Sequence, residues 1–499
     1  MFKKKAHILL DKDYNKNLDF LKKELGEGDS FDVIVREFKV LNKRCALIGI
    51  DGFIKDDVLI FVIKSLNGLR KKNFLINDLK EQLENTIPYI ELSSEKQIDK
   101  LLYAVLSGSV LLIIDSLDAA FIIDARTYPS RNPEEPELER IVRGSRDGFT
   151  ETIVFNTALI RRRIRDPKLR IKLLNVGKRS KSDVCVCYIE DIANPDLVES
   201  IIGKIEAIEI DAIPMAEKSI EELITPGSVW NPFPKVRYTE RPDVAATHLL
   251  EGHILIMVDT SPSVIIAPVT YFHHVQHAEE YRQNPAVGVY IRWVRFLGIF
   301  ASVFITPLWL LFVLSPELLP EALKFIGPEK VGKIPIFVQF LIAEVSLDLI
   351  RMAAIHTPSP LATALGVIAA LLIGDLAVTI GLLAPEVIIY TAIVAVGAFS
   401  TPSYEMSMAN RLVRLFILIG TGFFKLPGFI ITSILSLLLV GFTKSFGVPY
   451  LWPLIPFDFR ALKSIIIRSP VPIQNIRPSI LKPQDVSRQP IVALKRRRQ

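Results

Sequence analysis

The sequence predicts an α+β membrane protein, with an N-terminal cytosolic region of two α/β subdomains followed by an all-α multi-span transmembrane domain. Three observations carry that reading. Charged residues run through the first 290 or so positions and thin out sharply from residue 296. Before that point, apolar runs of strand length alternate with charged stretches of helical length. One pattern of helix end, glycine, strand, turn and strand occurs twice, at an offset of 144 residues.

The chain opens on Lys3, Lys4 and Lys5, but the AHILL that follows is too short for the apolar core of a secretory signal and runs into Asp11 and Asp13. The soluble part is therefore expected to stay cytosolic. A first α/β subdomain is placed at 1–128, with strands at 58–63, 110–114 and 121–124 and an amphipathic helix over 69–83. Residues 129–150 contain Pro129, Pro133 and Pro136 and predict a linker. A second α/β subdomain follows at 151–290, with strands at 184–189, 208–211, 254–258 and 264–268 and a helix over 195–205. The repeat aligns Gly108 with Gly252 and Asp115 with Asp259. In each copy glycine suits a helix end and Asp opens a tight turn, so two related subdomains each close on a β-hairpin.

The transmembrane domain is placed at 291–443. Residues 296–314 are 19 uncharged positions, long enough to cross about 30 Å of hydrocarbon, with Pro307 suggesting a kink. The segment 334–350 carries Glu344 and Asp348, and 361–383 carries Asp375. The segment 386–399 is short enough for a half-span. Residues 412–442 contain Lys425, Pro427 and Gly428 near the middle, which fits two segments joined by a tight turn or one span plus a re-entrant piece. Six apolar segments result, with four complete crossings as the alternative. Arg292 and Arg295 precede the first span and Arg411 and Arg414 the last pair, so positive flanks set the orientation. The basic, Pro-rich tail at 444–499 is expected on the cytosolic side, extended and either solvated or lying along an anionic leaflet.

The formal charge of +6 comes without any groove-reading motif, which argues against nucleic acid as a partner. The chain has three cysteines, and two of them, Cys185 and Cys187, lie two apart on one face of a predicted strand, where small buried side chains fit. No phosphate-binding loop, nucleophile elbow, dinucleotide fingerprint or HExxH occurs, so no enzyme, catalytic residue, cofactor or metal is predicted. His273, His274 and His277 form HHVQH, whose spacing suits a surface helix near headgroups better than a zinc site. The charges inside apolar segments are the informative residues. A charge in hydrocarbon costs about 2.5 to 3.5 kcal/mol, so it must face protein or water. Glu344, Asp348 and Arg351 fall four and then three residues apart, on one helical face. That face either locks helices together or lines a polar path, and Asp375 is the further candidate for such a path.

Eight runs carry a family resemblance: EPELERIVRGSRDGFTE (135–151), NTALIRRRIRDPKL (156–169), YTERPD (238–243), EGHILIMVDTSPS (251–263), the stretch 335–360, GDLAVTIGLLAPE (374–386), TPSYEM (401–406) and GVPYLWPLIPF (447–457). Together they resemble the A subunits of the GerA-type spore germination receptor family. The nutrient-receptor members usually have glycine where this chain has Thr260 and an aromatic where it has Ser263. The resemblance implies a multi-pass protein of the spore inner membrane, with its soluble part and tail facing the cytoplasm or spore core. It implies an oligomeric, pentameric channel that releases monovalent cations during germination and amplifies that response. It further implies a small membrane partner protein and, among possible partners, other germination receptor subunits. Glu344, Asp348 and Arg351 match the family's acidic segment, with Asp348 where Glu is usual, and Gly374–Asp375 matches a Gly–acid pair. A non-conducting scaffold that organises receptor complexes is the alternative function.

Overall fold

The computed structural model describes residues 8–40, 43–67, 91–127, 139, 142–225, 230–319, 321–328, 333–356, 379–470 and 474–489. Two compact units result. The first comprises residues 1–226, 235–269 and 469–499, and the second comprises 227–234 and 270–468.

The first unit is built from two copies of one topology. In the first copy, α1 (Tyr14–Leu25) leads into β1 (Val33–Val40) and β2 (Lys43–Ile50). Next come α2 (Asp56–Asn67), β3 (Leu92–Glu95), α3 (Ile98–Leu106), β4 (Val110–Ile114) and β5 (Ala120–Ile123). In the second copy, α4 (Ile153–Arg163) leads into β6 (Leu169–Val176) and β7 (Ser182–Ile189). Then follow α5 (Pro195–Glu206), α6 (Ala216–Ile224), β8 (Arg237–Thr239), α7 (Pro242–Glu251), β9 (Ile254–Val258) and β10 (Val264–Ala267). The strand orders are β1-β2-β4-β5-β3 and β6-β7-β9-β10-β8, antiparallel at every step. The registers correspond as well, Ile48 facing Leu111 in one sheet and Cys187 facing Leu255 in the other. Gly108 and Gly252 end the equivalent helices at φ of 97° and 102°, and Ser116 and Thr260 occupy equivalent hairpin turns at φ of 72° and 70°. The repeat seen in the sequence is thus a repeat of the fold.

The two copies share a seam. Ala158 of α4 belongs to the apolar core that Leu21, Ile48 and Leu101 form in the first copy. Beside it, Arg161 donates from Nε and Nη2 to the two carboxylate oxygens of Asp32 at 2.7 and 3.1 Å, both residues buried. A planar guanidinium and a carboxylate match in such a two-pronged bond, which lets a charged pair sit inside a core.

Two expected strands are corrected. Residues 58–63 lie in helix α2, which carries Asp56 and Asp57 in its first turn and buries Val62 and Leu66, one turn apart. A short apolar run has no period of its own to separate the two structures. Residues 208–211 form no strand; Ile210 and Asp211 instead offer carbonyls to Lys178 and Arg179 in a turn. The helix expected at 69–83 lies outside the described residues. Residues 474–489 of the tail run along the second copy. Arg477 donates from Nε to the Leu250 carbonyl at 2.8 Å, the Gln484 amide donates to Ile192 at 2.9 Å, and Arg488 pairs with Glu251 at 3.1 Å.

The second unit is helical. Short helices α8 (Tyr271–Val275) and α9 (Ala278–Arg282) precede α10 (Pro285–Leu314), α11 (Ile336–His356), α12 (Pro385–Phe399) and α13 (Tyr404–Phe442). Two short strands, β11 (Lys444–Ser445) and β12 (Val448–Pro449), and helix α14 (Phe459–Ile466) complete it. By length and composition α10 and α13 are able to cross a membrane. The core gathers Trp309 and Leu310 of α10, Phe340 and Ala343 of α11, Val387 of α12 and Leu418 of α13.

Helix α13 doubles back on itself. Lys425 has a non-helical backbone (φ 53°, ψ −132°) two residues before Pro427. In a continuous helix, positions 12 apart lie about 18 Å from one another. Here Gly420 abuts Thr432 and Gly428, so closely that a side chain on either glycine would collide. Further along, Val440 of the second limb shares a core with Met406 and Ala409 of the first. The tight-turn alternative is therefore the observed one.

Candidate functional site

The candidate site lies in the helical unit, where α11 meets the first limb of α13. Three of the four expected residues project from α11 on one face. Glu344 is buried, and Arg414 donates to both of its carboxylate oxygens, from Nε at 2.8 Å and from Nη2 at 2.7 Å. The third nitrogen of Arg414 donates to the Ser302 carbonyl of α10 at 2.6 Å. Arg411, one turn earlier on α13, donates to the Glu344 carbonyl at 3.0 Å and forms an ion pair with Asp348. Asp348 keeps 37% of its side chain exposed, against 1% for Glu344. Arg351 donates to the Met408 sulfur at 3.0 Å and lies over the Phe399 ring, 5.6 Å from its centre. Asp375 lies outside the described residues.

The arrangement is graded. At the inner end a carboxylate is neutralised by a guanidinium whose other donor is also used, which is how a buried ion pair offsets part of its large desolvation cost. At the outer end Asp348 has, among the described residues, Arg411 as its partner and an open flank. By sequence Arg411 and Arg414 read as flanking charges that orient the spans. They are the partners of the acidic face, and both are buried. Their spacing of three residues on one helix, inside a long apolar run, was the available signal.

A second buried charge group ties the start of α10 to its neighbours. Arg292 donates from Nε to Glu280 at 2.6 Å, and Arg295 also pairs with Glu280. Both Glu280 and Arg292 are fully buried. By sequence Arg292 and Arg295 too read as flanking charges.

The HHVQH histidines have structural partners. His273 closes a capping box with Thr270 at the start of α8, and His277 accepts from the Glu279 amide at 3.2 Å. His274 is buried beside Ser403, at 3.2 Å. Among the described residues, no three His, Cys, Asp or Glu side chains converge as a metal site would require. Cys185 and Cys187 are buried on β7, and burial pushes both thiols up from their ordinary value.

Most of the resemblance motifs in the first unit are fasteners of the second copy. Glu139 accepts from Arg237 at 2.5 Å and from Thr239 at 2.6 Å, while Arg241 reaches the carbonyls of Glu139 and Ser145 at 3.3 and 3.0 Å. Asp147 pairs with Arg163 at 2.5 Å. Glu139, Ser145 and Asp147 of the expected linker are thereby bound to β8, to Arg241 before α7 and to α4.

Comparison with known proteins shows the family. A family model described as Bacillus/Clostridium GerA spore germination protein matches residues 19–480. Stage V sporulation protein AF of Bacillus subtilis is 50% identical over 475 residues, covering 95% of this chain and 96% of that one. Spore germination protein KA of Bacillus subtilis is 30% identical over 494 residues, covering 97% and 90%. Spore germination protein GerLA of Bacillus cereus is 30% identical over 482 residues, covering 95% and 97%. A crystal structure of the N-terminal domain of the A subunit of the Bacillus megaterium spore germinant receptor GerK3 aligns at 29% identity with a TM-score of 0.41, covering 54% of this chain and 99% of that one.

Proposed function

The chain belongs to the Bacillus/Clostridium GerA spore germination family, and we propose that within it the chain is the subunit of an oligomeric cation channel. On this reading the helical unit is a multi-pass domain in the spore inner membrane, and the two-copy unit and the tail face the spore core. The large apolar side chains that α10, α11 and α13 leave exposed, among them Leu297, Phe300, Val345, Leu349, Phe423 and Leu437, support it, because water does not tolerate so much apolar surface. A ring of subunits, five in the family's pattern, would release monovalent cations and amplify germination, working with a small membrane protein and other receptor subunits.

The observation that carries the proposal is the half-open carboxylate of Asp348 on a face whose deeper acid is already neutralised. In a ring, Asp348 would present negative charge to a wet axis and favour cations. The Glu344–Arg414 pair would hold that face in position, and Asp375 would extend the path. The test is potassium flux from proteoliposomes holding the whole chain with its partner, comparing wild type with D348N. A cation current that falls severalfold in D348N supports the channel. Equal currents would refute a role for Asp348.

One observation favours the second reading, a non-conducting scaffold. Glu344, Asp348 and Arg351 all have partners within one chain, so none of these three charges demands a pore. A scaffold predicts no conductance in any reconstituted assembly, while the partner proteins still co-purify.

A further inference from the structure

We propose that α14 and the loop before it form an interfacial foot that binds anionic phospholipid at the bilayer surface. The inference rests on the membrane reading above and goes beyond it, since it assigns a lipid class and a binding element.

Three observations place α14 at headgroup depth. Helix α10 has 30 residues. At about 1.5 Å per residue it exceeds the roughly 30 Å hydrocarbon core, so one end must project. The projecting end precedes residue 296 and exposes Tyr290 and Trp293, the residue types that gather at membrane interfaces. At this level Arg292 donates to the carbonyls of Ser464 and Ile465, at 3.0 and 2.7 Å, and so pins the last turn of α14. Ile465 is the side chain that α14 buries against the unit.

The rest of α14 is unpartnered in a particular way. Phe459 is 67% exposed, as is Phe457 in the preceding loop, and Leu454 and Ile455 are exposed beside them. Arg460 and Lys463 are exposed on the neighbouring flank. The nearest acid in sequence, Asp458, caps the helix by accepting from the amides of Arg460 and Ala461 at 3.0 and 3.1 Å. Aromatic anchors beside cations, with one flank pinned to a spanning helix, describe an element that lies in the interface rather than across it. The sign of the exposed charge selects anionic headgroups.

The whole chain is tested in nanodiscs of phosphatidylcholine with rising fractions of phosphatidylglycerol. A spin label is placed in turn at Phe459→Cys, Ser464→Cys and Leu437→Cys; Cys45, Cys185 and Cys187 are buried and do not compete. Collision with oxygen reports lipid, and collision with a nickel chelate reports water. The proposal expects lipid at 437, lipid at 459 that deepens with phosphatidylglycerol, and water at 464. The R460Q/K463Q variant should require a higher anionic fraction, by about fivefold per cation removed. Water at 459 with lipid at 437 overturns the foot and leaves the membrane reading standing. Water at 437 overturns both. Indifference of the 459 label to phosphatidylglycerol, or of the titration to R460Q/K463Q, overturns the assignment of anionic lipid.

Discussion

Arg414 grips Glu344 with two nitrogens at 2.8 and 2.7 Å, and neither side chain reaches solvent. Removing one partner would strand the other as an uncompensated buried charge, at a cost of about 3 to 5 kcal/mol. E344L and R414M should each lower the thermal midpoint of the chain in detergent, and the double variant should recover much of the loss. Additive losses would show that the two side chains do not act as a pair.

Asp348 should behave differently. Its side chain is more than one-third exposed, so D348N should leave the thermal midpoint near wild type. A large drop would place its importance in folding, and any flux defect in that variant would then say nothing about an ion path.

Thr260 holds a backbone that suits glycine. Its φ of 70° is left-handed, and a β-branched side chain there costs on the order of 1–3 kcal/mol. Its amide still donates to the Glu151 carbonyl at 2.7 Å, a bond that glycine would keep. After glycine's own entropic penalty, Thr260→Gly should stabilise the first unit by about 1 kcal/mol, and Thr260→Ala should not. Urea titration followed by thiol labelling of the buried Cys185 and Cys187 would measure it. Equal midpoints for Gly and Ala would contradict strain at this turn.

Two histidines predict acid sensitivity in the same unit. His248 and His253 are buried with ring centres 5.0 Å apart, and donate from Nδ1 to the carbonyls of Val244 and Pro268 at 2.8 and 2.7 Å. Burial, reinforced by Arg237, holds His248 at about 3 against an ordinary 6.5. Burial and the neighbouring His248 hold His253 well below its ordinary value. Between those pH values the unfolded chain binds more protons than the folded one. Stability is therefore complete above about pH 6.5 and is lost as pH falls toward 3, by about 2 kcal/mol at pH 5 from His248 alone. H248L should flatten the profile; an unchanged slope would exclude His248 as its source.

The fold-back of α13 needs two glycines. Gly428 faces the Gly420 carbonyl too closely to admit a Cβ, and both sit in limbs that must stay parallel to pack Val440 on Ala409. Gly428→Val should disrupt the pairing and reduce the yield of folded protein in detergent severalfold. Normal yield and thermal midpoint would show that the limbs can separate.

Much of the first unit was legible because its hairpins combine apolar strands with turn residues, twice over. The strands β1, β2, β3, β6 and β8 were not. All but β2 are sheet edges, and β1 carries Arg36, Glu37 and Lys39 exposed across both of its faces, which blurs the alternation that marks a strand. The stretch 58–63 misled for the opposite reason, being uniformly apolar. In the helical unit the face of Glu344, Asp348 and Arg351 followed from spacing alone. Its partners did not, because sequence flanking an apolar run cannot distinguish an arginine at a membrane surface from one that turns inward to a carboxylate. Arg411 and Arg414 do the latter.

The reversal at Lys425 also governs accessibility. The turn before Tyr404 and the β-turn after Phe442 emerge at the same edge of the helical bundle, since the limbs between them run out and back. An epitope inserted at Pro402 and one inserted at Gly447 would meet antibody from a single compartment, so a permeability barrier that hides one from an added reagent would hide the other.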